Sequence, residues 1–452
     1  MSTIGFYGGV GSVTGANFLL KVGSTSMLVD CGLIQGDKFS GVENCEAFPY
    51  TPSDVSVLLV THAHADHIGR IPKLVADGFS GRIISTDATK DLASVMLQDA
   101  YKVMSYESER YGIPRCYEQK NISAALALWE GVSYDEKVAL PEEIEAVFTD
   151  AGHILGSAMI HLSRNGKNFV FTGDIGNVPQ PLMNPPVIPK EYDYLLMESV
   201  YGDRVHEEVK ERADLLRSHI EEVQKTGGTL IIPAFSLERT QGMLYEINNF
   251  IEKQGLKPLP VFLDSPLAIA VTELYRKHGG YLKTEVQEQI KKGDDIFAFP
   301  GLTFTRTMAD STEIMNERGA KIVIAGSGMS HGGRILGHEK RYLEDPKSIL
   351  LLVGYQAVGS LGRLLADGAK RVKIDGEDVR VRAKVARIRG YSGHADRDQL
   401  INLVADGSEK AKQIFVAMGE EKSSLFLVQR LRDYLGVNAI APDAGQVIEI
   451  DF

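Results

Sequence analysis

The sequence predicts an α/β protein carrying an inserted parallel unit, and three observations carry this. Residues 1–204 alternate short apolar segments with glycine-rich turns, interrupted by helical stretches. Residues 205–372 alternate strand and helix in the rhythm of a parallel sheet with crossover helices. Residues 373–452 return to strand, turn and helix, as if the first fold resumed after an insertion.

Taken in order, Phe18–Val22 and Ser26–Asp30 read as a hairpin across Gly23-Ser24. The apolar run Val55–Val60 reads as a buried strand, and the amphipathic run Ile68–Gly78 as the helix that follows it. Asp87–Tyr111 is a long helical segment, with Ala124–Gly131 after it, and strands are expected at Ile144–Phe148, Ala158–Ser163 and Asn168–Thr172. Pro179–Lys190, rich in Pro and Asn, reads as an ordered surface loop. In the insert, helices at Glu207–Thr226, Arg239–Gln254 and Ile269–His278 alternate with strands at Thr229–Pro233, Pro260–Leu263 and Lys321–Ala325. The last part reads as Val379–Ile388 strand, Gln399–Asp406 helix and Gln413–Met418 strand. There is no internal repeat and no low-complexity tract.

With 452 residues, 44% of them hydrophobic, the chain can build more than one core. The net charge of −11 argues against a charge-driven coat on nucleic acid, though not against a local basic groove. Cys31, Cys45 and Cys116 are odd in number and lack framework spacing, which suits a reducing cytoplasm. The N-terminus lacks a basic, then apolar, secretory pattern, and no apolar run reaches membrane-spanning length, so cytoplasmic localisation is expected.

The most informative stretch is Thr61-His62-Ala63-His64-Ala65-Asp66-His67. Four metal-ligand side chains fall on a strand-to-helix turn, where the chain can aim alternate residues to one side. Imidazole and carboxylate together suit zinc. Three further candidates share that context. His153 lies in a Gly-flanked turn before a strand, Asp174 follows the strand Asn168–Thr172, and His394 follows the strand ending near Ile388. A glycine beside each allows close backbone approach. Together they supply seven ligands, enough for two zinc ions sharing one carboxylate.

The pattern His-x-His-x-Asp-His, then His153, Asp174 and a distant His394, resembles the metallo-β-lactamase superfamily. Asp30 in Leu-Val-Asp-Cys-Gly resembles the first motif of that family, a carboxylate standing behind the ligands. The insert resembles the β-CASP domain of nucleic-acid-processing members through residues 197–204, 233–241, 264–268, 326–334 and 354–363. The subgroup it resembles is the cleavage-and-polyadenylation-specificity-factor-like ribonucleases of bacteria and archaea, without the N-terminal KH domains of archaeal members.

The resemblance implies an αββα sandwich (1–204 and 373–452) interrupted by a β-CASP domain (205–372). It implies His62, His64 and His153 on one zinc, Asp66, His67 and His394 on the other, and Asp174 bridging. Asp66, Asp174, Glu198 and His394 would be the catalytic side chains, with Glu198 as the acidic β-CASP motif. The activity implied is hydrolysis of single-stranded RNA, as an endonuclease with exonuclease activity as an extension. The strand would thread into a cleft between the domains. His394 favours RNA over DNA, since DNA-directed relatives tend to carry Val there, and a homodimer would be common for the class.

One family position departs from the pattern. Leu364 stands where nucleolytic relatives carry a His, and Leu cannot transfer a proton. His331 and His338 are nearby substitutes, although each reads more simply as a loop residue and a solvated helix face. Backbone phosphates are expected at Ser327, Ser330 and Arg334 of the Gly-rich loop, and at Ser236 and Arg239. Tyr201, Phe235 and Tyr355 could stack on bases, though each could equally be core. Two other functions compete: a catalytically weakened RNA-binding or scaffolding member, favoured by Leu364, and a hydrolase of small esters on the same metal core.

Overall fold

The strand Val55–Leu59 shows how the first unit is assembled: Val57, Leu58 and Leu59 are all buried, because the strand lies inside a sheet covered on both faces. This is a computed structural model that describes residues 2–36, 40–206, 210–354, 356, 359–388 and 390–452. The chain divides into two compact units, one of residues 1–178, 183–205 and 394–452, the other of residues 179–182 and 206–393.

In the first unit two seven-stranded sheets face each other. One runs Val447–Ile450, Ser2–Gly8, Asn17–Val22, Thr25–Val29, Val55–Leu59, Arg82–Thr86, Trp129–Val132. The other runs Ala439–Ile440, Gln413–Val416, Tyr194–Met197, Lys167–Phe171, Ala158–Arg164, Ile144–Asp150, Lys137–Leu140. Phe6, Phe18, Leu20 and Val29 of one sheet meet Phe148, Ile160, Phe169 and Phe415 of the other in a single apolar core. Helices Arg397–Ala405 and Glu421–Leu435 cover the outer face of the second sheet with Leu400, Leu403, Leu427 and Leu431. Helix, sheet, sheet, helix is the expected αββα order.

The second unit is a six-stranded, wholly parallel sheet in the order Leu302–Phe304, Val261–Asp264, Lys321–Ala325, Thr229–Pro233, Ile349–Leu352, Lys384–Arg387. Its central strands are buried end to end, as helices on both faces require. The unit continues past residue 372. Val372, Ile374 and Val379 of a short hairpin pack into its core, and Lys384–Arg387 is its edge strand.

Three other segments differ from expectation. Ala124–Gly131 splits into the end of helix Gln119–Ala127, started by a Glu118/Asn121 capping box, and the strand Trp129–Val132. Val379–Ile388 contains two strands belonging to different sheets. Ile68–Gly78 is broken into helices Ala65–Ile68 and Ile71–Ala76. The start of the expected helix at Glu207 and the aromatic Tyr355 lie outside the described residues. Among the described residues no helix is long and apolar enough to cross a membrane.

The cysteines correct the sequence reading: Cys45 and Cys116, 71 residues apart, form a disulfide, and only Cys31 is a free, buried thiol. Closing a loop of that length stabilises by on the order of 4 kcal/mol in the chain-entropy account. We expect thiol titration of the unreduced, unfolded chain to count Cys31 alone and of the reduced chain to count all three. Cys45→Ser with Cys116→Ser should lower the thermal midpoint of the oxidised protein; an unchanged midpoint would show that the bridge is not formed in solution.

Candidate metal centre

The ligand turns leave the C-terminal ends of buried strands. His62, His64, Asp66 and His67 follow Val55–Leu59, His153 follows Ile144–Asp150, Asp174 follows Lys167–Phe171, and Glu198 follows Tyr194–Met197. His394 is drawn in by a bridge between its own backbone and Gly176, and by the Ala395 amide, which donates to Ile175 O at 2.8 Å. Gly176 must be glycine, because a Cβ there would lie 1.9 Å from Gly152 O, beside His153. Gly32 is equally constrained: a Cβ would lie 1.5 Å from the Asp66 carbonyl.

The side chains meet at Asp174. Its Oδ2 lies 3.4 Å from His62 Nε2, 3.6 Å from His153 Nε2 and 3.8 Å from His394 Nδ1, and its Oδ1 lies 3.4 Å from His67 Nε2. His64 Nδ1 lies 3.0 Å from His62 Nε2 and 3.2 Å from His153 Nε2. Two ligand groups result, His62/His64/His153/Asp174 and Asp174/Glu198/His394, each with its ligand atoms within 4.8 Å of one another. Asp66 and His67, both expected on the second ion, stand outside these groups; His67 Nε2 lies 3.4 Å from Asp174 Oδ1, and Asp66 is within the electrostatic reach of His67, Asp174 and His62.

The donor set fits a metal ion. Several imidazole nitrogens and a carboxylate face one another without hydrocarbon between them, and His67 Nε2 is buried with no hydrogen-bond partner. Burial pulls His62 and His64 below the usual imidazole pKa, so both are neutral, as metal ligation requires. Burial also works against protonating His67 and His394, but neighbouring carboxylates outweigh it. Asp174 and Asp30 raise His67 well above its ordinary value, and Glu198 and Asp174 raise His394 to about 9. Asp174 is held well below the carboxylate range, since His67, His394 and His62 outweigh its burial.

Asp30 braces the cluster from behind. It lies within 2.7 Å of His67 Nδ1 and accepts from the Thr61 amide and hydroxyl at 2.8 Å each. Thr61 was not legible in the sequence as a functional residue; its adjacency to His62 after a buried strand was the available signal. Glu198 is fully buried, accepts from the amides of Ile175 (2.6 Å) and Val200 (3.2 Å), and lies 3.3 Å from His394 Nδ1. The His153 turn is held by Ser157 Oγ, which accepts from the His153 and Ile154 amides, and by Asp150, which accepts from Gly152 N at 2.8 Å. Burial pushes Asp150 up to about 6.

The expected phosphate contacts lie in the second unit. Ser236 and Ser265 hydroxyls are 3.3 Å apart beside Gly326, and Ser327 Oγ accepts from the His331 amide. Arg239 donates to Val353 O at 2.7 Å. Ser330 and Arg334 serve internal partners: Ser330 donates to Glu339 at 2.5 Å, and Arg334 donates to Asp264 at 2.7 Å and to the carbonyls of Thr305 and Arg306. His338 is not on a solvated face; it is buried, 2.7 Å from Asp264. His331 is exposed in the loop, as read, and Phe235 is exposed beside Arg239.

Comparison with known proteins adds three family matches: a Metallo-beta-lactamase superfamily domain over residues 19–184, a Beta-Casp domain over 240–365, and a Zn-dependent metallo-hydrolase RNA specificity domain over 378–442. The chain is 35% identical over 421 residues to ribonuclease TTHA0252 of Thermus thermophilus, covering 93% of this chain and 94% of that protein. It is 30% identical to an RNase J-like protein of Methanocaldococcus jannaschii over the full length of both, and 29% identical to transcription termination factor FttA of Methanosarcina mazei, covering 96% of this chain and 69% of that one. A crystal structure of a protein of unknown function from Enterococcus faecalis shares the fold at a TM-score of 0.59 and 14% identity, covering 99% of each chain.

Two outcomes follow from this geometry. Protons on His67 and His394 compete with a cation, so apparent metal affinity should rise with pH through about 9 and binding should release protons. Calorimetry in buffers of different ionisation enthalpy measures both. If His67 holds a metal ion, Asp30→Asn should weaken metal binding about 10- to 100-fold in chelator competition, the usual effect of losing a partner behind a ligating imidazole.

Proposed function

As the chain belongs to the β-CASP family of metallo-β-lactamase-fold hydrolases, we propose that it is a two-zinc ribonuclease cleaving phosphodiester bonds of single-stranded RNA. The observation that carries this reading is the convergence of four imidazoles on the Asp174 carboxylate. His62, His64 and His153 would hold one ion and Asp66, His67 and His394 the other, with Asp174 available to both. Zinc in such a site supplies a Lewis acid and an activated water at neutral pH.

The chain's own groups do the rest. Asp30 and Thr61 fix the His67 ring, and Glu198 fixes His394. Asp66, raised by burial above the ordinary carboxylate value, takes the proton of the attacking water. Ser236, Arg239 and Ser327 contact backbone phosphates of the RNA, while Ser330 and Arg334 shape that loop from within. RNA as substrate places the protein in the cytoplasm, where the Cys45–Cys116 bridge would be unusual. A homodimer is part of the same reading, checked by sedimentation.

A second reading, an RNA-binding member that cleaves weakly, is favoured by Leu364, which is 52% exposed on the helix Leu361–Ala366. Metal content plus cleavage of a labelled single-stranded RNA separates the two, since zinc without cleavage supports the second. His64→Ala should abolish both zinc binding and cleavage; wild-type zinc content in that variant would refute the ligand assignment. Leu364→His should raise the cleavage rate, and an unchanged rate would mean that no proton donor acts from this position.

A further inference from the structure

The metal centre is open on one side. Side chains of His62 and His67 are 0% exposed, His153 2%, Asp174 4% and Glu198 0%, whereas His394 is 25% exposed. His64 and Asp66 are also partly exposed. His394 therefore lies on the open side of the centre, and Tyr201 stands beside it. Its ring lies 6.2 Å from the His394 ring, tilted by 49°, with the Arg204 guanidinium 5.8 Å from its centroid. Tyr201 is itself half-buried rather than sunk in the core.

The turn that carries this ring is rigid. Gly202 N donates to Ser199 O and Arg204 N to Tyr201 O, while Ser423 Oγ grips Ser199 O at 2.6 Å. Any Cβ at Gly202 would meet Ser423 O at 2.8 Å. The Arg397 amide donates to Arg204 O at 3.0 Å, which ties the turn to the segment just after His394. Asp203 holds the Arg204 guanidinium through two oxygens, at 2.7 and 3.2 Å. An aromatic ring fixed beside a metal ligand, with a guanidinium at hand, has the composition of a base-stacking platform.

We propose that Tyr201, supported by Arg204, is the subsite for the nucleobase next to the scissile phosphate. A phosphate drawn to metal ions that Asp174 and His394 would hold would have its adjoining base within reach of this ring, 6.2 Å from the His394 ring. Stacking reads only the flat face of a base, so the subsite demands a base without choosing among them. The inference rests on the ribonuclease reading and names where that substrate is gripped.

The test uses zinc-loaded enzyme on a single-stranded RNA and on a set of the same RNA in which one abasic residue is walked along the strand. In the wild type, one abasic position beside the cleaved bond should lower kcat/KM about tenfold, the size of one stacked base. Tyr201→Ala should lose a similar factor on the intact RNA and become insensitive to the abasic residue at that position. Tyr201→Phe, which keeps the ring, should keep the dip at that abasic position. A dip of equal depth in Tyr201→Ala, or no dip in the wild type, overturns the proposal. So does loss of zinc from Tyr201→Ala, which would assign the ring to the support of His394. If the wild type cleaves none of these RNAs, the ribonuclease reading itself falls.

Discussion

The first unit depends on one carboxylate. Asp174 is almost completely buried and faces imidazoles delivered by separate turns of the chain. A buried ion is strongly destabilising unless it is paired, so every turn must deliver its partner to within a few tenths of an ångström. The paired sheets meet that demand, because ligand turns at the ends of adjacent strands inherit the spacing of the sheet. In the first unit the closest backbone approaches, at Gly32 and Gly176, set the Asp30 turn against Asp66 and the Asp174 turn against that of His153. Side-chain volume at either point would push these turns apart.

The insert obeys a similar rule with a different result. Asp264 is fully buried and accepts from Arg334, Thr305 and Ser311, with His338 at 2.7 Å. Burial alone would raise its pKa, yet these donors bring it down to about 2. The need to satisfy that charge explains why Arg334 and His338, which read as phosphate binder and solvated residue, are turned inward. Ser330 is turned inward by Glu339, a buried carboxyl that burial raises to about 7. What remains partly exposed beyond the strand ends is the smaller pair Ser236 and Ser327, with Ser265 buried beside Ser236 as a helix cap.

Much of this was legible in the sequence, for an identifiable reason. Candidate ligands next to buried strands announce themselves, because strand and motif are both local patterns. The hairpin at Gly23-Ser24 and the helix Asp87–Tyr111 were legible on the same ground. Contacts between distant segments were not. Thr61 matters through Asp30, and Asp150 and Ser157 through the turn around His153, and no spacing encodes either relation. Cys45 and Cys116 meet only because separate loops come together. The split of Val379–Ile388 depends on Lys384–Arg387 finding Ile349–Leu352 as its neighbour, a choice made by tertiary packing.

The two carboxyls named as catalytic besides Asp174 are not equivalent, and their surroundings separate them. Burial raises the pKa of both. Glu198, however, is fully buried, and its two oxygens are committed to the amides of Ile175 and Val200 and to His394. A carboxylate so committed holds a ring in place and has no route to an entering molecule. Asp66 sits on the partly exposed turn, where burial raises its carboxyl against the charge of His67. With leucine at residue 364 unable to carry a proton, Asp66 is the raised carboxyl of the centre that belongs to a partly exposed residue. On the proposed reading, proton movement would belong to the metal unit itself, with Glu198 acting through His394.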